Sequence, residues 1–308
     1  SSSAASDVYK RQASPRFAGE RCRDMSSIWF DEVLHDGVGQ RLKIEEVLYE
    51  GHTGFQDIKI MRNAKFGRFM TLDGIVQTTE GDEFVYHEMF AHVPLLAHGA
   101  VKRVLIIGGG DGGLLEEVLK HDVEHVTEVE LDGGVVEVSK KYLPGICGNA
   151  YDDPRVNLII GDGAAYVADA RDKFDIILVD STDPIGPGAV LFTHEFYSNC
   201  KGLLNDGGVL VTQNGVPFVQ GDELKSSVGH FRSLFDDAGC YVISCPTYAL
   251  GFMALGWATD DADLRWQSLD TIQQRFDALG IDTDYYNPSI HVASFALPNF
   301  MRKIIDGT

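Results

Sequence analysis

The sequence predicts an α/β protein: a doubly wound parallel sheet of the Rossmann type, preceded by a small antiparallel β domain. The apolar run Arg103–Ile107 stops at glycines, as a buried parallel strand does. Strands and helices alternate along the chain from Val101 onward. Between Trp29 and Thr79 the apolar period is mostly two, which is typical of antiparallel strands with one buried face.

Three segments follow from these patterns. Residues 1–24 are rich in Ser, Ala and Arg without apolar periodicity, and we expect an unstructured leader or a cloning artefact there. Residues 25–80 form the β domain and residues 81–308 the catalytic domain. Strands of the first are expected at Arg41–Tyr49, Phe55–Met61, Arg68–Leu72 and Ile75–Thr78, and a helix covers Asp82–His98.

The alternating elements of the larger segment resemble the sheet of S-adenosylmethionine-dependent methyltransferases. Strands are predicted at Arg103–Ile107, Val123–Val129, Val156–Ile160, Phe174–Val179, Val209–Gln213, Tyr241–Ser244 and Phe252–Thr259. Helices are predicted at Leu114–Lys120, Gly134–Tyr142, Ala164–Ala170, Thr193–Leu204, Gly221–Asp237, Leu269–Leu279 and within Ser289–Ile305.

Composition narrows the class of protein. The 308 residues carry a formal net charge of −20, which disfavours nucleic acid and anionic membranes as partners and is compatible with a cationic substrate. No run approaches the length of a membrane span. The five cysteines have no C-x-x-C spacing, so we expect free thiols in a reducing, cytoplasmic compartment. No metal site is indicated.

The glycine-rich turn after the first parallel strand indicates a nucleoside site. Gly108, Gly110 and Gly113 fit the dinucleotide pattern G-x-G-x-x-G and also the looser G-x-G-x-G of proteins that bind S-adenosyl compounds. Asp111 favours the second, because a carboxylate there would repel a pyrophosphate and attract a sulfonium or an ammonium. Glu130 follows the first glycine by 22 positions, where an acid binds ribose hydroxyls.

Acids follow four successive strands of the predicted sheet: Asp111, Glu130, Asp162, and the pair Asp180 and Asp183. The carboxyl ends of parallel strands meet at one edge, where ligands of such sheets bind. Each acid alone would be read as a helix cap or a turn residue, but the set indicates a binding site for a nucleoside with a cationic group. Asp162 with Gly163 suits the adenine amino group. The long loop Asp180–Phe192 is either a lid or a static connection.

Several runs in this order resemble the polyamine aminopropyltransferases, and bacterial spermidine synthases in particular. They are Leu72–Glu80, Tyr86–Met89, Gly108–Gly112, Val129–Asp132, Asp180–Pro187, Pro246–Tyr248 and Tyr285–Pro288. The resemblance implies transfer of an aminopropyl group from decarboxylated S-adenosylmethionine to putrescine. It also implies a homodimer or homotetramer and no permanently bound cofactor.

The resemblance also implies roles for individual residues. Asp180 would be the general base that deprotonates the attacking amine. The nucleoside would lie against Gln56, Glu130, Asp162, Gly163 and Pro187, and Asp111 would hold the aminopropyl amine. The diamine groove would be lined by Trp29, Gln77, Tyr86, His87, Asp183 and Tyr248. Without the resemblance, Tyr86, Tyr248 and His87 would be read as packed core residues.

Three other readings stay open at this point. An N-methyltransferase of a small amine would share the fold, but its donor carries a carboxylate that Asp111 would repel. A dinucleotide oxidoreductase is disfavoured because Asp111 would repel the pyrophosphate of its cofactor. A nucleoside-binding protein without catalysis is disfavoured by the intact Asp180.

Overall fold

The computed structural model describes residues 28–184 and 186–307. The leader expected at residues 1–24 and the fifth cysteine, Cys22, lie outside these described residues. The remaining four cysteines are buried free thiols.

The N-terminal strands form two antiparallel sheets. A hairpin consists of β1 (Ile28–His35) and β2 (Val38–Ile44); the second sheet consists of β3 (Glu46–His52), β4 (Asp57–Asn63), β5 (Gly67–Leu72) and β6 (Ile75–Thr79). The single strand predicted over Arg41–Tyr49 is therefore wrong. The chain bends at Glu45, so that Ile44 pairs with Ile28 while Glu46 pairs with Arg62 in the other sheet.

The second part of the chain is a seven-stranded sheet between helices, as predicted, but the sheet is mostly and not wholly parallel. Its strands are β7 (Arg103–Gly108), β8 (His125–Glu130), β9 (Val156–Ile160), β10 (Phe174–Asp180), β11 (Leu204–Gln213), β12 (Asp237–Ile243) and β13 (Met253–Thr259). The helices are α1 (Glu83–His98), α2 (Gly113–Leu119), α3 (Gly133–Tyr142), α4 (Pro144–Cys147), α5 (Gly163–Asp169), α6 (His194–Leu203), α7 (Gly221–Leu234), α8 (Leu269–Leu279), α9 (Pro288–Ser294) and α10 (Asn299–Asp306).

The strand order places the site. It runs β12-β13-β11-β10-β7-β8-β9. Strands β11, β10, β7, β8 and β9 are paired in parallel, whereas β13 runs antiparallel to both of its neighbours. Because β7 has β8 on one side and β10 on the other, chain order reverses between β7 and β10. A crevice opens at such a switch point, outside the carboxyl ends of the strands.

The central strands are apolar on both faces, which is why they read as continuous hydrophobic runs rather than alternating ones. Val104, Ile106 and Leu178 pack on one face of the sheet with helix α1, and Leu105 and Ile177 pack on the other with helix α6. None of the helices in the described ranges is long and apolar enough to cross a bilayer.

One helix prediction needs correction. The helix expected over Gly221–Asp237 ends at Leu234, because Asp237 already belongs to β12 and pairs with Thr259. The helical segment predicted within Ser289–Ile305 is divided into two helices, α9 and α10. Pro298 stands directly before α10 and disfavours a helical conformation at the residue that precedes it.

Candidate active site

One cavity of about 600 Å³ lies at the carboxyl ends of the parallel strands. The turns after β7, β8 and β10 and the start of α5 form one wall. The hairpin β1–β2, the loop before β4 and the segment after β12 form the other. The cavity therefore lies between the N-terminal strands and the large sheet, with room for a ligand of nucleoside size or larger.

The glycine turn brings the backbone close to two acids. Gly108 has φ of +82°, and a Cβ there would lie 2.0 Å from the carbonyl oxygen of Asp180. A Cβ on Gly110 would lie 3.0 Å from the carboxylate of Glu130. Larger residues would push the ends of β8 and β10 away from the turn, so these glycines let three strand ends converge on the cavity.

Glu130 lies at the end of β8, where the sequence places a ribose-binding acid. Its Oε1 accepts a hydrogen bond of 2.7 Å from the backbone N–H of Asp132. Burial raises the pKa of Glu130 to about 7, against the opposing effect of that bond. The ionised form of this carboxyl group accepts hydrogen bonds at both oxygens, as sugar hydroxyls require.

Gln56 reaches the same region from the loop before β4. Its Nε2 donates to Oδ2 of Asp132 over 3.0 Å, and the hydroxyl of Thr53 donates to the same carboxylate. Asp132 therefore ties the N-terminal strands to the end of β8, and Gln56 lines the cavity beside Glu130.

Asp162 and Gly163 line the cavity at the start of α5. Oδ1 of Asp162 accepts from the N–H groups of Ala164 and Ala165 at 2.8 and 3.2 Å, so the residue does cap the helix. A Cβ on Gly163 would lie 2.5 Å from Cγ2 of Ile107. The helix N-terminus consequently packs tightly against β7, and its cap is held at the rim.

Asp180 ends β10 and lies in the cavity beside the glycine turn. Its Oδ1 accepts a hydrogen bond of 2.7 Å from the hydroxyl of Tyr86. Burial and the neighbouring Asp111 raise the pKa of Asp180 to about 6. A carboxylate with its pKa just below neutral pH is ionised in the cell and yet basic enough to accept a proton.

Asp111 and His87 are neighbours in the wall of the cavity. Oδ1 of Asp111 accepts from the N–H of Gly113 over 3.1 Å, and its Oδ2 lies 3.5 Å from Nε2 of His87. The other ring nitrogen of His87 lies 2.6 Å from Oε2 of Glu83. His87 thus lies on the cavity wall and also bridges two acids.

Tyrosines line the part of the cavity beyond Asp180. The rings of Tyr86 and Tyr248 meet edge to face at 5.6 Å, and the hydroxyl of Tyr248 donates to the carbonyl oxygen of Gln77 over 2.6 Å. Asp183 accepts from Nε2 of Gln213 over 3.2 Å. Aromatic faces with an acid at the end suit an ammonium ion on an alkyl chain.

Trp29 lies apart from the residues that line this cavity. Trp29 is half exposed, and its ring lies beneath the guanidinium of Arg41 at 5.2 Å. Side chains alternate along a strand, and Glu32 and Leu34 of the same strand face the cavity, so Trp29 points to the opposite face. Trp29 is therefore not among the described residues that line this cavity, and its place in the diamine groove stays a prediction. The side chain of Pro187 lies outside the described residues.

The cavity has further polar residues that the sequence did not single out. Glu32 is buried on β1 and accepts from Gln40 and from the N–H of Val76, the latter over 3.0 Å. Gln40 also donates to the carbonyl oxygen of Thr247 over 3.0 Å. These contacts join the β1–β2 hairpin to the segment that carries Tyr248. A buried acid within a short hairpin carries no sequence signal beyond its alternation.

Comparison with known proteins identifies the family. The model of the spermine/spermidine synthase domain matches residues 83–268, and that of the spermidine synthase tetramerisation domain matches residues 28–80. The chain belongs to the spermine/spermidine synthase family. A polyamine aminopropyltransferase of Ruegeria sp. is 55% identical over 278 residues, 90% of this chain and 98% of that protein.

Other members of the family agree. Polyamine aminopropyltransferase 1 of Pseudomonas aeruginosa is 51% identical over 277 residues, 90% of this chain and 97% of that protein. A spermidine synthase solved with the transition state analogue AdoDATO superposes with a TM-score of 0.86 at 40% identity, covering 91% of this chain and 96% of that one. The spermidine synthase from Thermotoga maritima superposes with a TM-score of 0.83 at 38% identity, covering 91% of this chain and 94% of that one.

These relatives confirm the resemblance drawn from the sequence motifs, and with it the Rossmann-like fold and the polyamine aminopropyltransferase activity of this spermine/spermidine synthase family member. They do not favour the methyltransferase reading.

Proposed function

We propose that this enzyme transfers the aminopropyl group of decarboxylated S-adenosylmethionine to putrescine and releases spermidine and methylthioadenosine. The attacking nitrogen forms a bond to the methylene next to sulfur as the carbon–sulfur bond breaks. The electron pair of that bond returns to sulfur, which leaves as a neutral thioether. The proton of the nitrogen passes to the enzyme and then to water.

The nucleoside half of the donor fits the wall formed by β8 and α5. Glu130 would accept hydrogen bonds from the two ribose hydroxyls. Asp162 and the backbone of Gly163 would bind the adenine amino group. The aminopropyl end carries an ammonium, and Asp111 is the acid beside the glycine turn that would hold it. Gln56 and the Asp180–Phe192 loop, with Pro187, would complete this wall.

The acceptor amine arrives as an ammonium and must lose a proton before it can attack. The observation that carries the proposal is the carboxylate of Asp180, which lies in the cavity beside Asp111 with a pKa of about 6. The hydroxyl of Tyr86 fixes one of its oxygens. The second ammonium of the diamine would then lie toward Asp183. Tyr248, Gln77 and His87 would line the groove that holds the alkyl chain.

No metal ion or covalent intermediate is required, because the sulfonium is already a good leaving group. The task of the enzyme is then to align the amine with the carbon–sulfur bond and to exclude water, and such positioning contributes several kcal/mol, on the order of 7–11 in favourable cases. We further propose that the enzyme works as a homodimer or homotetramer in the cytoplasm. The match to a tetramerisation domain over residues 28–80 supports an oligomer, and the four buried free thiols of the described residues agree with a reducing compartment.

Mass spectrometry of reaction products tests this proposal. Purified enzyme is incubated with putrescine and either decarboxylated or ordinary S-adenosylmethionine, and Asp180→Asn serves as the inactive control. We expect spermidine and methylthioadenosine from the decarboxylated donor alone. Methylated putrescine from the ordinary donor would establish the methyltransferase instead.

Acceptor preference needs a second set of reactions with cadaverine and spermidine in place of putrescine. One methylene changes binding by only about 1–3 kcal/mol, so cadaverine should react more slowly and not be excluded. A higher kcat/KM with spermidine than with putrescine would mean that the enzyme is a spermine synthase.

A further inference from the structure

The ring of His87 lies between two carboxylates. Oε2 of Glu83 is 2.6 Å from Nδ1, and Oδ2 of Asp111 is 3.5 Å from Nε2. Glu83 is in the first turn of α1, one helical turn before His87, whereas Asp111 comes from the glycine turn. The His87 side chain is only 3% exposed, so water has little access to the ring.

This arrangement fixes the protonation of the ring. A neutral imidazole donates from one nitrogen and accepts at the other, and an accepting nitrogen facing a carboxylate would be repelled. While both acids are ionised, only the imidazolium presents an N–H to each of them. Burial lowers the pKa of a histidine, but Asp111 and Glu83 outweigh it and raise the pKa of His87 to about 10.

The cation acts on the two acids that the reaction uses. The charged groups facing the ring are Glu83 from its own helix, Asp111 from the glycine turn and Asp180 from the end of β10. Asp111 raises the pKa of Asp180, and His87 lowers it. Without a cation at this position, Asp111 and Asp180 would repel each other, and one of them would take up a proton.

We propose that Glu83 is a positioning residue of the active site: together with Asp111 it holds His87 as an imidazolium, and this cation keeps Asp111 turned toward the donor amine and Asp180 ionised. The effect on the donor rests on the proposed function; the protonation of His87 does not. The backbone agrees, since a Cβ on Gly113 would lie 2.3 Å from the imidazole ring. The chain therefore leaves room for the ring at the start of α2.

Nitrogen NMR of the ligand-free enzyme labelled in histidine tests the first half, with the His87→Gln spectrum to assign the signal. We expect both ring nitrogens of His87 to remain protonated at about pH 8, well above the usual histidine pKa. Glu83→Gln should lower the His87 pKa by about 1–3 pH units, the range for loss of an opposite charge. A wild-type ring that is neutral at that pH would overturn the proposal, whatever reaction the enzyme catalyses.

The pH dependence of kcat/KM tests the second half. In Glu83→Gln we expect a new descending limb at alkaline pH, at the pKa that NMR gives for His87, because Asp111 then loses its neighbouring cation. Methylthioadenosine lacks the amine, and its Kd should stay flat across the same range. In His87→Gln the acid limb should move upward by about 1 pH unit, because Asp180 loses a neighbouring cation.

Two further variants distinguish charge from structure. Glu83→Asp restores the carboxylate and should return His87 toward its wild-type pKa. Glu116→Gln removes the matching acid in the first turn of α2, which pairs with Lys120 one turn later over 3.0 Å and not with the site. This control should change neither the pKa of His87 nor the pH profile of kcat/KM. If His87 loses its proton at alkaline pH in Glu83→Gln but kcat/KM shows no alkaline limb, the coupling of His87 to catalysis is refuted.

Discussion

Replacing Asp180 by Asn should cost activity and add stability. The amide is nearly the same size as the carboxylate, and its Oδ1 can still accept the 2.7 Å hydrogen bond from Tyr86. It cannot take a proton from an amine, so we expect kcat to fall by about 10²–10⁴, the contribution of a general base. Binding of methylthioadenosine should survive, because the nucleoside wall is unchanged.

The gain in stability follows from the raised pKa. The carboxyl of Asp180 has a pKa of about 6 in the fold against its ordinary value of 3.8. The folded state then binds more protons than the unfolded state between these values, so the free energy of unfolding falls as pH rises through them. The difference corresponds to at most about 3 kcal/mol at neutral pH, less where water in the cavity screens the charge. Asp180→Asn removes this cost.

Urea unfolding at several pH values measures the effect, at a fixed enzyme concentration. The variant should be more stable than the wild type at about pH 7.5. The difference should shrink toward pH 4 and vanish below the ordinary pKa of 3.8, where the unfolded-state carboxyl is protonated too. Asp175→Asn is the matched control at the opposite end of β10, where the carboxylate accepts from the backbone N–H groups of Lys102 and Arg103 at 2.7 and 2.9 Å. It should lose stability and keep kcat. An Asp180→Asn variant that is active, or no more stable at neutral pH, would refute the reasoning.

Three other substitutions address separate parts of the site. Asp111→Asn should weaken decarboxylated S-adenosylmethionine about 10–100-fold and methylthioadenosine much less, since only the donor has the amine; equal losses in calorimetry would contradict this. Gly113→Ala places a Cβ 2.3 Å from the ring of His87 and should lower the free energy of unfolding by about 1–3 kcal/mol in a urea titration. Trp29→Ala should leave the KM for the amine within about twofold in steady-state kinetics, because the ring lies outside the cavity; a large rise would restore the residue to the groove.

The parallel sheet was predictable because buried strands end abruptly at glycines and acids. Asp111, Glu130, Asp162 and Asp180 each follow an apolar run, and parallel strands bring their carboxyl ends to one edge. This pattern does not predict which residues of the β1–β2 hairpin face the cavity. There Asp31 and Glu32 are adjacent acids, and only the register between β1 and β2 decides which one faces the cavity.

Packing and function are not alternatives for the aromatic residues. Tyr86 is buried in the core and also donates to Asp180 through its hydroxyl, so its interpretation as a packed core residue is correct but incomplete. Trp29 is a different case, because the resemblance assigns it to the groove while its ring lies beneath Arg41 and is not among the residues that line the cavity. Sequence patterns predict which residues share an element; the direction of one side chain in a short strand depends on its pairing partner.

The acidic cavity is itself an argument about what the enzyme binds. Burial raises the pKa of Glu130, Asp180 and Glu32, so the folded state holds these carboxyl groups at a cost. His87 offsets only part of the charge, beside Asp111 and Asp180. A ligand with a sulfonium and two or three ammonium groups would relieve the rest on binding, and relief of such repulsion stabilises the complex relative to the empty enzyme. The groups that make the unliganded site unfavourable are then the ones that select a polycationic substrate pair over neutral nucleosides.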